Sequence, residues 1–306
     1  MNDMGSQSLG ALNGHSGALN GHSGALKRLS LYVEPTALRA LDNLSDCKAL
    51  ESLFLEAGHG LRGVDWEAEM PGVFEGVVGW LKACASLATL EIFNLPSAPS
   101  LLTKVLQGGA VRLTTLEARM AQTTEEFYTA LFHQAGLEEL TIIADEDAGG
   151  DADEARHARF VDAVCRLPGL RGLAAKNEML ALDDLVRITQ TATKLEDFRF
   201  NGDDVGDEYL VALARLPQLR NLNVLASSSF SFAGLVAFIH ELARHPDDPA
   251  RNHDGLSILI TQLGESKFSD AEEQYLAAEL RDALMGRIDI GYVADPDELH
   301  ESDFSD

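Results

Sequence analysis

A short apolar pattern recurs along the chain from Leu26 onward: a leucine, two variable residues, a second leucine, one variable residue and a further apolar residue. Because alternate residues of a strand point to opposite faces, the end of each copy predicts a short strand with one buried face. A looser ninth copy lies around Leu256 and Ile258. The eight regular copies are Leu26/Leu29/Leu31, Leu50/Leu53/Leu55, Leu87/Leu90/Ile92, Leu113/Leu116/Ala118, Leu137/Leu140/Ile142, Leu170/Leu173/Ala175, Leu195/Phe198/Phe200 and Leu219/Leu222/Val224.

The segments between these copies predict helices. Apolar residues stand three or four positions apart, as at Phe127 and Leu131, and Thr123 with Glu126 forms the sequence of a capping box. A strand and a helix of this length can bury their apolar sides only against neighbouring repeats. The sequence therefore predicts an α/β solenoid, a curved horseshoe with parallel strands on the concave face and helices on the convex face.

The two ends of the chain differ from this repeated region. Residues 1–23 contain two copies of GALNGHS, a low-complexity tract that we expect to be disordered. We expect the solenoid over 24–292, closed by a cap over about 265–292 that consists of a helix over 269–285 and a strand from Arg287 to Ile290. Residues 293–306 form an acidic tail, also expected to be disordered.

Charge and cysteine content restrict the classes of partner and the compartment. The 306 residues include 24 Lys+Arg and 49 Asp+Glu, a net charge of −25, which disfavours nucleic acid and anionic membrane surfaces as partners. Cys47, Cys84 and Cys165 form no CxxC motif and are expected to pack as small apolar residues. With no signal peptide pattern and no long apolar run, the expected location is cytoplasmic or nuclear.

Several short motifs contain residue types that are found in chemical sites. The acidic run over 145–154, DEDAGGDADE, could bind calcium but lacks the spacing of an EF-hand loop, so a solvated insertion is favoured. The segment Gly58 to Gly63 matches GxGxxG, yet a proline interrupts the helix that a dinucleotide site needs. His240 and His245 lack the spacing of a helical zinc pair. We therefore expect no enzyme activity, no metal and no cofactor.

The repeats resemble leucine-rich repeats over roughly residues 24–262, and their helical segments make them similar to the ribonuclease-inhibitor-like branch. Their uneven lengths resemble most closely the repeat region of fungal F-box/leucine-rich-repeat proteins, although no F-box precedes Leu26. This resemblance implies a non-catalytic protein-interaction module. One role that the resemblance allows is substrate recognition for a ubiquitin ligase, with cullin-RING ligase components as partners. The alternatives are a GTPase-activating protein of the Ran-type leucine-rich-repeat class and a diverged F-box-type chain without a present function.

In such a solenoid the variable strand positions point to the concave face. We expect an aromatic patch near one end and cations further along, and aromatic and arginine side chains are the usual anchors of protein interfaces. The sequence thus predicts a monomer that binds a protein on its concave face, against the alternative of a solvated face with no single partner. The predicted contact residues are Tyr32, Phe54, Phe93, Arg119, Arg171, Lys176, Arg199 and Arg220.

Overall fold

The structure is a computed structural model that describes residues 7–8, 26–34, 39–41, 44–58, 65–95, 97–120, 122–144, 154–202, 204–244 and 251–293. The chain divides into two compact units, Met1–Gly169 and Leu170–Asp306. In each unit, parallel strands are paired in chain order and alternate with helices. No helix among the described residues is long and apolar enough to cross a membrane.

The first unit is a stack of parallel strands, each hydrogen-bonded to the next one along the chain. Its described strands are β1 (Gln7–Ser8), β2 (Arg28–Val33), β3 (Ser52–Ala57), β4 (Thr89–Phe93), β5 (Thr115–Met120) and β6 (Glu139–Ala144). Its described helices are α1 (Trp66–Glu69), α2 (Pro71–Ala83), α3 (Ala98–Leu106), α4 (Glu125–Leu131) and α5 (Glu154–Val164).

The second unit repeats this arrangement, and all of its strands except β8 are longer than those of the first unit. Its described strands are β7 (Gly172–Leu180), β8 (Asp197–Gly202), β9 (Asn221–Ser228), β10 (Ser257–Leu263) and β11 (Arg287–Val293). Its described helices are α6 (Leu182–Thr191), α7 (Asp207–Leu213), α8 (Phe232–Ala243) and α9 (Asp270–Leu284), with a 3-10 turn at Gly264–Ser266. The looser ninth repeat is therefore a strand, and the predicted terminal helix and strand are both present.

The core of each unit is built from the repeated apolar positions. In the first unit, the pairing of β3 to β6 places Leu53, Leu90, Leu116 and Leu140 in one fully buried row. Burying one such side chain stabilises the fold by roughly 1.5–3 kcal/mol relative to leaving it exposed. In the second unit, Phe198 and Phe200 take the equivalent positions in β8, with ring centroids 5.0 Å apart.

The same backbone corner begins one repeat after another. The Lys27 carbonyl oxygen accepts hydrogen bonds from the N–H groups of Glu51 and Ser52, at 2.7 and 3.0 Å. In the second unit, the Arg171 carbonyl oxygen accepts from Glu196 and Asp197 at the same two distances. Because one carbonyl binds the two N–H groups that open the next strand, the start of that strand is held in a fixed register.

The predicted fold class is confirmed: the chain is an α/β repeat structure of parallel strands alternating with helices. One predicted helix start is wrong by one residue. The N-cap of α4 is Thr124, whose side chain accepts from the Phe127 N–H, whereas the Thr123 hydroxyl is contacted by Arg156 at 2.5 Å. The N-terminal tract apart from β1, and the acidic tail after Val293, lie outside the described residues, so the expected domain boundaries stay predictions.

The cysteines differ in burial. Cys47 and Cys84 are buried and Cys165 is half-buried. The Cys84 thiol contacts the Cys47 carbonyl oxygen at 3.4 Å, and burial raises the pKa of Cys84 to about 11. Burial also raises the pKa of the Cys47 thiol. Both side chains therefore remain protonated at neutral pH, which suits a packing role.

Candidate functional site: the outward sheet faces

Each unit has one sheet face that packs against its helices and one that does not. We call the outward side chains of β2–β6, with the residue directly before each strand, the first face, and the corresponding set of β7–β11 the second face. In β3, residues alternate between buried and half-buried along the whole strand. The outward positions are thus available for contact, while the alternate positions hold the core.

The first face carries an aromatic cluster, which we define as Phe54, Phe93 and Arg119. The Phe54 and Phe93 rings meet edge to face, with centroids 5.0 Å apart and an angle of 79°. The guanidinium carbon of Arg119 lies 4.4 Å from the centre of the Phe93 ring. Tyr32 belongs to the same outward row as Phe93 and Arg119, separated from Phe93 by Glu56. The structure therefore brings the four predicted contact residues of the first unit onto neighbouring positions of one face.

Acidic residues surround this cluster. Glu117 accepts two hydrogen bonds from the Arg119 guanidinium, at 3.2 and 3.3 Å, which holds the guanidinium against the Phe93 ring. Glu91 pairs in register with Phe54 on one side and Glu117 on the other. Burial, together with the neighbouring negative charge of Glu117, raises the pKa of the Glu91 carboxyl group. The first face is acidic overall, with the cations Lys27, Arg28 and Arg119 against the acids Glu51, Glu56, Glu91, Glu117, Glu138 and Glu139.

The predicted cations of the second unit take two kinds of position. Lys176 and Arg199 are exposed strand residues, whereas Arg171 and Arg220 lie directly before β7 and β9. Arg199 forms two hydrogen bonds with Asp197, at 3.0 and 3.1 Å. The Arg171 guanidinium binds Glu196 at 2.7 Å.

The charge balance of the second face is the reverse of the first. It carries the cations Arg171, Lys176, Arg199, Arg220 and Arg287 against the acids Glu196, Asp197 and Asp289. Five cations against three acids is a cationic surface on a chain whose net charge is −25. Such a local field attracts acidic groups even when the whole molecule repels them.

The second face also has an apolar component that the sequence analysis missed. Met179, Leu225, Leu259, Leu263 and Val293 are exposed on the strands of this unit. Register shifts occur between β7 and β8 after Ala175, and between β9 and β10 after Leu259. The repeated leucine pattern ends before these shifts, so it does not predict which of the later side chains point outward. The length of β7, which continues past the pattern to Leu180, is the feature that indicates further outward positions.

A pocket of about 310 Å³ lies at the carboxyl ends of β7–β10. Its lining combines the apolar side chains of Met179, Val205 and Leu263 with the polar or charged side chains of Asn201, Asp204 and Ser227. Two of the exposed aliphatic residues are therefore at the pocket. A hollow that combines apolar and polar side chains can accept one side chain or a small ligand.

The other motifs weighed in the sequence form no site in the described part of the chain. His240 binds Glu279 at 2.8 Å on the exposed side of two helices, and His245 lies outside the described residues. Most of the acidic run over 145–154 and the glycines after Gly58 lie outside them too. Among the described residues, no group of three or more His, Cys, Asp or Glu side chains is placed to hold a metal ion.

Comparisons with known proteins identify no family for this chain. No family model and no curated protein matches the chain. Among solved structures, the chain is similar to the complex of Rad7 and Elc1 from yeast, with 14% identity and a TM-score of 0.48, covering 83% of this chain and 67% of that chain. A likeness at this level carries no inference about function. The strand pairing itself shows an α/β repeat protein, consistent with a solenoid of leucine-rich repeats.

Proposed function

We propose that this chain is a non-catalytic protein-interaction module that contacts a partner through the aromatic cluster of its first face. The observation that supports this function is the edge-to-face pair of Phe54 and Phe93 with the Arg119 guanidinium over the Phe93 ring. Aromatic and arginine side chains contribute most of the binding energy in protein interfaces. Here three of them occupy one accessible sheet surface.

The cluster is ordered before any partner arrives. Phe54 and Phe93 are half-buried, and the Arg119 guanidinium is fixed by the two hydrogen bonds that it donates to Glu117. Ordering a flexible side chain at an interface costs about 0.5–1.5 kcal/mol, so a cluster that is already ordered loses less free energy on binding. The arrangement thus favours a contact surface over a solvated face without a partner.

A finer form of the proposal is substrate recognition for a ubiquitin ligase. It is supported by the resemblance of the uneven repeats to those of fungal F-box/leucine-rich-repeat proteins, and it implies cullin-RING ligase components among the partners. A cytoplasmic or nuclear location and a monomeric state belong to the same proposal. The GTPase-activating alternative is supported only by the general repeat resemblance, and none of the contacts described above favours it.

The experiment is affinity capture with quantitative mass spectrometry, using the wild-type chain, Arg119→Glu and Phe54→Ala/Phe93→Ala. We expect both variants to lose at least about tenfold of a specific partner, since anchor residues contribute 2 kcal/mol or more. Tyr275→Ala is the matched control, because Tyr275 is an exposed aromatic residue on α9 and does not belong to the first face. Melting temperatures establish that each variant is folded.

The identity of the captured partner separates the finer alternatives. Cullin-RING ligase components support the ligase role, whereas a small GTPase supports the activating-protein alternative. If the same proteins are recovered in the same amounts with all four chains, the first face is not the contact surface and the proposal is wrong.

A further inference from the structure

We propose that the second face is a separate docking site for an extended acidic segment of another protein, which inserts one large apolar side chain into the pocket at the carboxyl ends of β7–β10. This inference rests on the proposed function only in treating an outward sheet face as a protein-binding surface. It concerns a different unit and does not require the aromatic cluster. Two features of the second face carry it: a set of cations at one end and a pocket with exposed aliphatic side chains at the other.

The pocket end has an aliphatic rim, although Asp204 also lines the hollow. Met179 is 46% exposed and Leu263 is 37% exposed, and both line the hollow of about 310 Å³. Large aliphatic side chains left in water at the mouth of a concave site mark a place where another apolar group binds. The hollow accepts a single large side chain, so the partner needs one apolar anchor at this end.

The cationic end lies opposite the pocket, at the amino-terminal ends of the strands of the second face. Arg220 lies directly before β9, and Arg287 begins β11. Ser257 lies between them: its N–H donates to the Arg220 carbonyl oxygen at 2.7 Å, and its hydroxyl accepts from Arg287 Nε at 3.1 Å. Within the part of the chain that the structure describes, neither guanidinium forms an ion pair with an acid. Both are exposed, so a carboxylate of a partner can bind them without displacing a neighbour.

The charge of the surroundings makes the choice of partner specific. An acidic chain of net charge −25 repels other acidic segments everywhere except at a local cationic surface. A basic segment would find many acidic surfaces and no reason to prefer this one. Complementary charge therefore selects an acidic ligand and orients its carboxylates toward Arg220 and Arg287.

The length of the strands sets the length of the ligand. From Arg220 to Ser227, seven residues of backbone at about 3.3 Å each span roughly 23 Å. A segment of about seven extended residues covers the same distance. Asn223 lies between the two ends and offers a neutral amide group to a peptide backbone. The inferred ligand thus carries acidic residues and an apolar anchor about five to seven positions apart.

The test begins with the full chain as bait for a display library of random linear peptides of about a dozen residues. We expect enriched peptides to contain acidic residues followed or preceded, at the inferred spacing, by one large apolar residue. The best peptide is then labelled, and its Kd is measured by fluorescence anisotropy. Raising the ionic strength should weaken its binding, because exposed charges are screened by salt.

Variants of both ends then locate the peptide. Arg220→Glu/Arg287→Glu, which reverses the cationic edge, and Ser227→Phe, which fills the pocket from an exposed position, should each raise the Kd at least about tenfold. The matched control is Arg215→Glu, a charge reversal at an exposed residue just after α7. It should leave the Kd within about twofold of wild type.

The outcomes separate this inference from the proposed function. Phe54→Ala/Phe93→Ala should leave peptide binding unchanged, while the second-face variants should keep the partner captured through the first face. Enrichment of basic or uncharged peptides, or a Kd that ignores both second-face variants, would overturn the inference. A synthetic peptide of residues 294–306 is acidic and contains Leu299 and Phe304. If this peptide binds the second face more tightly than the selected peptides do, the occupant is the chain's own tail, and the inference of an external partner is wrong.

Discussion

The first and second faces share one backbone design and differ in chemistry. Both are made of parallel strands whose alternate residues fill a core, and both begin their strands at a carbonyl that binds two N–H groups. The first face, however, is acidic around an aromatic cluster, whereas the second is cationic with a pocket that exposed aliphatic side chains border. Outward positions can diverge in this way because they contribute little to the core, so one repeated frame can present two unrelated surfaces.

The core beneath the second face offers the largest test of this comparison. Phe200 packs between Phe198 and Tyr209, with ring centroids 5.0 and 6.3 Å away. Phe200→Ala should therefore cost about 3–5 kcal/mol of stability through lost burial and a residual cavity. Amide hydrogen exchange should accelerate in β7–β9 and leave β3–β5 unchanged, since the loss lies within one unit.

The matched change in the first unit is Leu116→Ala, at a fully buried position of β5. It should cost about 2–5 kcal/mol and accelerate exchange in β4–β6 instead. If both variants accelerate exchange equally in every strand, the two units unfold as one and the contrast between them is only a matter of surface.

A glycine pair tests how the last strand of the second face is held. A Cβ on Gly286 would meet the carbonyl oxygen of Leu256, a backbone atom that cannot move aside. Gly286→Ala should destabilise the second unit by about 1–3 kcal/mol, as insertions into closely packed sites do. Gly291→Ala, on the same strand, is the control, because its nearest neighbours would be 3.9 Å away. Chemical denaturation should show a lower midpoint for the first variant only, and equal midpoints would refute the contact.

Acidification should weaken the second unit through His253. This side chain is 4% exposed, and its Nδ1 lies 3.0 Å from the Leu219 carbonyl oxygen. Burial lowers the pKa of His253 below its ordinary value of 6.5, so the unfolded chain takes up the proton first. Stability is then lost as the pH falls through the window below 6.5. His253→Gln should reduce this loss in melting temperatures measured from about pH 8 to about pH 5.

Glu91 in the first unit should contribute to the acid response with the opposite sign, and by the smallest amount. Because burial and Glu117 raise the pKa of Glu91 above 4.5, the folded state binds this proton more tightly than the unfolded chain. The resulting stabilisation is fully present below pH 4.5 and is lost as the pH rises through the folded pKa. Glu91→Gln should thus raise the melting temperature slightly at neutral pH and have no effect near pH 4. A drop at neutral pH would show that the ionised carboxylate is needed.

The repeated pattern predicted the strands well because its apolar positions are the core. Leu53 and Leu55, for example, are both fully buried, and the expected strand of that copy is β3. The pattern also placed Phe54 and Phe93 outward, since strand alternation is a local property. Their edge-to-face contact depends on the register between β3 and β4, which a single sequence does not specify.

What the sequence missed depends on long-range pairing. The shift after Ala175 lets Met179 pair with Asn201, and this pairing exposes Met179 at the pocket. A register shift is set by the neighbouring strand and leaves little trace in the spacing of one segment. The one-residue error at Thr124 has a similar cause: both threonines can cap, and the Arg156 contact engages the first of them.

The carbonyl that opens each repeat has a consequence for how such a chain changes over evolutionary time. In the first unit, the carbonyl oxygens of Glu51 and Ala88 each accept a pair of hydrogen bonds, as the Lys27 carbonyl oxygen does, although the segments between these residues differ in length. A deletion that runs from one of these corners to the next would leave two ends that fit each other through the same bonds. Gain or loss of a whole repeat is therefore a small structural step, and a lineage can resize its binding surface without first inventing a new junction.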